Sequence, residues 1–173
     1  MVKKFYYILH PRPVYIIGSG SVKNNEINFM AASWVMPVAE DVPSICLACD
    51  KEHKTFELIE KYKQFSVNVV EDINLIWKVG SISGKKIDKV REFGLKVISG
   101  KVLDVPILEN NLAFLETKVI NFIDIGEVRL YISEVKNFGG NLEEYGIKEY
   151  WKIPLHRGGK VFVNISKGLK FIK

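Results

Sequence analysis

Asn28–Pro37 reads NFMAASWVMP, an odd run for the β-strand position it holds after a turn at Lys23-Asn24-Asn25. Strand interiors favour β-branched and aromatic residues. Here Ala31, Ala32 and Ser33 stand in a row, with Trp34 and Met36 just after. Three small side chains leave room in a core, so the stretch reads as a strand against which something else lies.

Working outward, PVYIIGSGSV (Pro13–Val22) and EINFMAAS (Glu26–Ser33) form a hairpin pattern around that turn. The G-x-G inside the first strand lacks the third glycine and the following helix of a dinucleotide fingerprint, so both glycines read as strand or hairpin residues. SICLACD (Ser44–Asp50) is a third strand, reached through PVAEDVP as a loop. TFELIEKYKQ is a short helix with Leu58, Ile59 and Tyr62 as its apolar stripe, and FSVNVV (Phe65–Val70) alternates like a strand. INLIWKVG reads as a helical turn, and KKIDKVREF as a helix stopped by Gly94. LAFLETKVINFIDI and EVRLYISEVKNF read as antiparallel partners joined near Gly126, and KVFVNI follows a Gly158-Gly159 turn. Many strands, few short helices and antiparallel order predict a mainly β protein of barrel type.

The chain of 173 residues, 47% of them hydrophobic, suits a single domain over residues 1–173. No apolar run is long enough to cross a membrane. The N-terminal MVKKFYYILHPRP is too short in its apolar part for a signal peptide and is broken by Pro11 and Pro13, which predicts a cytoplasmic protein. The net charge of +5 suits anionic partners, but it is scattered, with one local cluster in KVFVNISKGLKFIK. A solvated surface explains it better than nucleic-acid binding.

Cys46 and Cys49 form a C-x-x-C, yet residues three apart on a strand point to opposite faces. Zinc would need further ligands; His53 is close, and His10 and His156 are remote in sequence. Neither a metal nor a disulfide is expected. No Ser/His/Asp set stands out, and Glu143-Glu144 reads as surface, so any chemistry belongs to a cofactor.

Three stretches could take an anion. In DKEHKT, Thr55 reads as the N-cap of a helix starting at Phe56, crowded by Lys51, His53 and Lys54. In GSISGKK, Ser81, Ser83 and Gly84 precede a helix that Ser83 could cap. In PLHRGGK, His156 and Arg157 precede a double-glycine turn. Taken singly, a plain cap or turn explains each better.

In order, the segments RPVYIIGSGSV, INFMAASWVMPVAEDVPSICLACDKEHKT, FSVNVV, GSISGKKIDKVREFG, VPILENNLAFLETKV and PLHRGGKVF resemble the flavin reductase-like family of FMN-binding split barrels, from Arg12 to about Phe162. The resemblance implies a six-stranded antiparallel split β-barrel with short flanking helices. It also implies a homodimer with FMN near the subunit interface. Ser33, Trp34, Val35 and Met36 would lie along the isoalloxazine and ribityl, and Ala48, Cys49 and Asp50 would line the other side, largely through backbone. Lys51, Lys54 and Thr55 would hold the phosphate, and Ser83, Gly84 and Lys85 would close the site. Asp88 and Lys89 match the pattern and would serve the dimer or the helix. The implied activity passes hydride from NADH or NADPH through flavin to an acceptor, with His156 as the only histidine near the ring. The alternatives are a flavoredoxin-like carrier holding FMN permanently without NAD(P)H activity, and a basic β-barrel that binds nucleic acid.

Overall fold

Antiparallel hairpins build most of the molecule. The structure is a computed structural model and describes residues 4–140 and 153–163. A short 3-10 helix, Phe5–Leu9, leads into β1 (Arg12–Pro13), then the hairpin β2 (Tyr15–Ser21) and β3 (Glu26–Ala32). Next come β4 (Val35–Ala39), β5 (Ser44–Asp50), α1 (Lys54–Tyr62), β6 (Gln64–Val69), α2 (Ile73–Ser81) and α3 (Lys89–Phe93). The chain ends in β7 (Val97–Ser99), β8 (Pro106–Leu108), the long hairpin β9 (Ala113–Ile125) and β10 (Val128–Gly140), and the short hairpin β11 (Leu155–Gly158) and β12 (Val161–Val163).

The main sheet has seven strands in the order β3-β2-β6-β9-β10-β5-β4. Its two edges, β3 and β4, are consecutive in the chain. The sheet therefore rolls until the edges face each other, and Ser33 and Trp34 cross between them. Ala48 N donates to Trp34 O at 3.0 Å across that junction. Inside the roll, Ile17, Ala32, Ile45, Leu47, Cys49, Phe65, Val67 and Tyr131 pack with Ile59 of α1. Outside it, alternate residues Val14, Ile16 and Phe29 pack under α2 with Ile76 and Val79. This is the barrel that the strand pattern predicts, in the split form that the resemblance implies.

The strand count differs from six. PVAEDVP (Pro37–Pro43) is expected as a loop, yet its first residues, Pro37–Ala39, belong to β4. It is an edge strand, where a proline costs no central ladder bond, and its pairing with β5 shifts register between Pro37 and Ala39. Two small sheets, β1-β11-β12 and β7-β8, lie beside the roll. Both long hairpins and the Gly94 stop of α3 lie as predicted.

The helices begin elsewhere than expected. INLIWKVG is a full helix, capped by Asp72, whose side chain accepts from Asn74 N and Leu75 N. The cap of α3 is Asp88, accepting from Val90 N and Arg91 N, rather than Ser83. Ser83 instead starts a turn, with its Oγ accepting from Lys85 N and its carbonyl from Lys86 N. Lys89 is buried, and its Nζ donates to Phe29 O at 2.8 Å and Val79 O at 2.7 Å. Glu143-Glu144 and the cluster from Asn164 onward lie outside the described residues. Among the described residues no helix is long and apolar enough to cross a membrane.

Candidate functional site

At the junction of the edges, Met30, Ala31, Ala32, Ser33, Trp34, Ala48 and His53 line a cleft of about 190 Å³. Ala31 and Ser33 also wall a second cleft of about 260 Å³, shared with Trp77 and Gly80 of α2 and with His156 and Phe162. The floor is small-residue backbone at the edge of a sheet, where N–H and C=O groups face outward without a ladder partner. Such a floor lets a flat heterocycle approach closely and meet hydrogen-bonding groups at its rim.

Trp34 is held from behind. The Tyr6 ring meets it edge-on at 5.5 Å, and the Arg12 guanidinium lies 5.6 Å from its centroid. Arg12 Nη2 donates to His10 Nε2 at 3.2 Å, and His10 Nδ1 donates to His156 O at 2.7 Å. The carbonyl can only accept, so the proton of His10 sits on Nδ1. Burial pushes His156 below the ordinary histidine range, and its Nε2 donates to Gly159 O at 3.2 Å.

A few residues along the chain, α1 begins two residues earlier than the sequence suggests. His53 is its N-cap, and Thr55 is the second helical residue. The reason is the turn made by Asp50. Its Oδ1 accepts from Glu52 N at 2.8 Å and its carbonyl from His53 N at 3.1 Å, which brings His53 to the helix entrance. The N–H groups of Lys54 and Thr55 thus precede the first helical bond, from Phe56 N to His53 O. Thr55 is buried and its Oγ1 accepts from Asn28 Nδ2 at 2.9 Å, which leaves the hydroxyl proton to donate.

The turn containing Ser83, Gly84 and Lys85 closes over the same corner. Gly84 lies so near Asn28 that a Cβ there would collide with the Asn28 amide, and the Lys54 side chain is its next neighbour. Lys85 Nζ and Lys54 Nζ meet on the carboxylate of Glu57, at 2.9 Å and 3.1 Å. Backbone donors at a helix start, a hydroxyl and two ammonium groups form a donor set that fits a phosphate. With the small-walled cleft beside it, this set fits a flavin mononucleotide.

The fold thus brings together Ser33, Trp34 and Ala48 at the cleft, and Lys54, Thr55, Ser83, Gly84 and Lys85 at the corner. Other candidates stand apart. Val35 and Met36 line a separate apolar cavity of about 310 Å³ with Pro37, Phe114 and Phe138. Lys51 turns to the β9–β10 hairpin, with Nζ 3.0 Å from Gly126 O and 3.3 Å from Asp124. Cys49 faces the core, and burial pushes its thiol up to about 12; Asp50 makes the turn just described. Cys46 and Cys49 are both free and buried and lie on opposite faces of β5, and among the described residues no cluster of metal-ligating side chains occurs. Arg157 is exposed on β11. Three residues at the site carried no sequence expectation: Asn28, Glu57 and Trp77. The polar Asn28 at an inward strand position was a signal for the first.

The model of the flavin reductase like domain matches residues 7–155. Protein YddH of Escherichia coli K12 is 34% identical over 116 residues, 65% of this chain and 61% of YddH, so the match spans about three fifths of that relative. Among solved structures, an FMN-binding protein from Thermus thermophilus with bound 1-cyclohex-2-enone superposes with a TM-score of 0.87 at 21% identity, covering 99% of this chain and 96% of that one. A flavoredoxin from Methanosarcina acetivorans gives 0.84 at 22% identity, over 99% and 92%. The flavin reductase HpaC complexed with NADP+ gives 0.72 at 18% identity, over 90% of both chains. At these identities the structures speak for the shared fold, and the domain match, which spans most of the chain, speaks for descent. The chain belongs to the flavin reductase-like family.

Proposed function

We propose that this chain is an FMN-binding oxidoreductase that takes hydride from NADH or NADPH and passes electrons to an acceptor. The observation that carries this reading is the small-walled cleft at the β3 edge beside the Thr55 corner. FMN, when bound, supplies the hydride-accepting chemistry. The chain supplies position: Ala31, Ser33 and Ala48 as a close floor, Trp34 as a wall, and Thr55, Lys54 and Lys85 as phosphate donors. No side chain is needed as acid or base, His156 included. The second cleft, between Trp77 and His156, leaves room for a second planar ring. The likeness to HpaC with NADP+ supports the nicotinamide donor, and the likeness to flavoredoxin supports a carrier as the second reading.

The test joins a spectrum to a pair of titrations. The protein should bind FMN with a perturbed flavin absorbance and should oxidise NADH or NADPH with FMN present. A protein that purifies yellow but shows no turnover with either nucleotide is the carrier. Thr55→Ala should weaken FMN by about 1.5–3 kcal/mol, the range for a charge-assisted hydrogen bond, and leave riboflavin nearly unchanged. Equal weakening of both flavins would mean that Thr55 acts through Asn28 and the fold.

A further inference from the structure

Glu57 stands one turn into α1, and it occupies what a phosphate would need. Its Oε1 takes Lys85 at 2.9 Å and its Oε2 takes Lys54 at 3.1 Å, so one carboxylate bridges the helix and the Ser83–Lys86 turn. It also lies in the first turn of the helix, where negative charge is favoured by the dipole that would favour a phosphate. The corner opens into a polar groove of about 590 Å³ that Lys86 also lines, in which Glu26 pairs with Lys61 at 2.7 Å while Glu57 holds Lys54 and Lys85. Both Glu57 pairs are half exposed, at 37–45% of side-chain accessibility, and exposed pairs break at little cost.

Resting on the flavin reading above, we propose that Glu57 is a built-in competitor for the flavin phosphate. Its carboxylate holds Lys54 and Lys85 in the flavin-free chain and must release them when a phosphate monoester arrives. A resident carboxylate beside a dianion weakens binding and speeds release. The chain is therefore built to exchange FMN rather than hold it permanently. The lysines stay gathered in the meantime, so the site is preorganised and at the same time blunted.

The experiment titrates wild type, Glu57→Gln and Glu57→Ala with FMN and with riboflavin, at low and high salt. Removing one charge beside a dianion should tighten FMN by about tenfold at low salt and by a few-fold once screened. FMN release should slow in step, and riboflavin should not change. Unchanged or weaker FMN binding in both variants overturns the proposal. So does equal tightening of both flavins, which would place the effect in the fold. Thr55→Ala and Lys85→Met separate the two levels. If they weaken FMN while the Glu57 variants do not tighten it, the corner binds phosphate and only the competitor role fails. If they leave FMN unchanged, the phosphate site itself fails and the competitor falls with it.

Discussion

Lys89 shows what one buried residue does for the site. The family resemblance assigns it to the dimer or the helix, and it ties β3 to α2 through two carbonyls, Phe29 O and Val79 O. Those elements wall the cleft from both sides. Burial lowers its pKa to about 8 from 10.5. Between these values the unfolded chain holds the proton and the folded chain has lost it, so stability rises with pH from about 8 upward; below about 8 both states are charged and the term is flat. Cys49, raised by burial from 9.0 to about 12, works the other way above pH 9. Unfolding free energies from urea titrations should therefore climb from about pH 8, by less than about 1.4 kcal/mol per pH unit, because the buried thiols Cys46 and Cys49 begin to oppose the rise as pH nears 9. Lys89→Met should be less stable throughout and lose that slope; a slope that persists in the variant would place the titration elsewhere. Thr55 and Lys54 were legible as a charged helix entrance. The Asn28 contact was not, because it joins residues from two distant segments.

At the scale of elements, periodicity found the long hairpins and the turn residues found their ends. It failed where tertiary context overrules local preference. α2 buries Ile76 and Val79 on the sheet, but it is short and leaves Trp77 exposed on another side, so its stripe was read as no more than a helical turn. β4 contains a proline that only an edge position tolerates. The glycines of β2 illustrate the other half. They were read correctly as strand residues, but their reason is spatial: at Gly18 a Cβ would strike the Pro106 carbonyl and the Ser66 hydroxyl, where β2 presses on β8. Gly18→Ala should destabilise by about 3 kcal/mol, at the upper end for overpacking a core that cannot shift. Chemical denaturation measures this, and a loss under 1 kcal/mol would mean that β8 yields easily. Flavin affinity per folded molecule should stay near wild type, since Gly18 lines neither cleft.

The order of elements along the whole chain was the clearest message in the sequence, and it brought the family and the barrel together. The assembly is a separate proposal. Met36 at 60%, Phe138 at 64% and Ile125 at 64% exposure sit on β4 and the β9–β10 hairpin, with Ile120, Phe122 and Ile123 beside them. Met36 and Phe138 wall one apolar cavity, and that exposed pair is the ground for a partner. A second copy covering it would bury on the order of 2,000 Å² or more, and would also cover the cavity that holds Val35 and Met36. Light scattering should find a dimer at micromolar concentration, and Met36→Lys with Phe138→Lys should give monomers. A monomeric wild type that binds FMN fully would sink the dimer.

The junction at Ser33 and Trp34 has a consequence for how the barrel forms. The two edges of the main sheet, its most distant strands in ladder order, are joined by a connection of two residues, as short as any in it. Loop-closure entropy grows with the length of chain between contacts. Curling the sheet onto itself is therefore almost free of that penalty, since the chain has already made the link. The costly events are the long-range pairings of β5 with β10 and of β6 with β9, which bring together segments far apart in sequence. A barrel is usually closed last and at most expense; here the seam is sewn locally, and the entropy falls on the middle of the cloth.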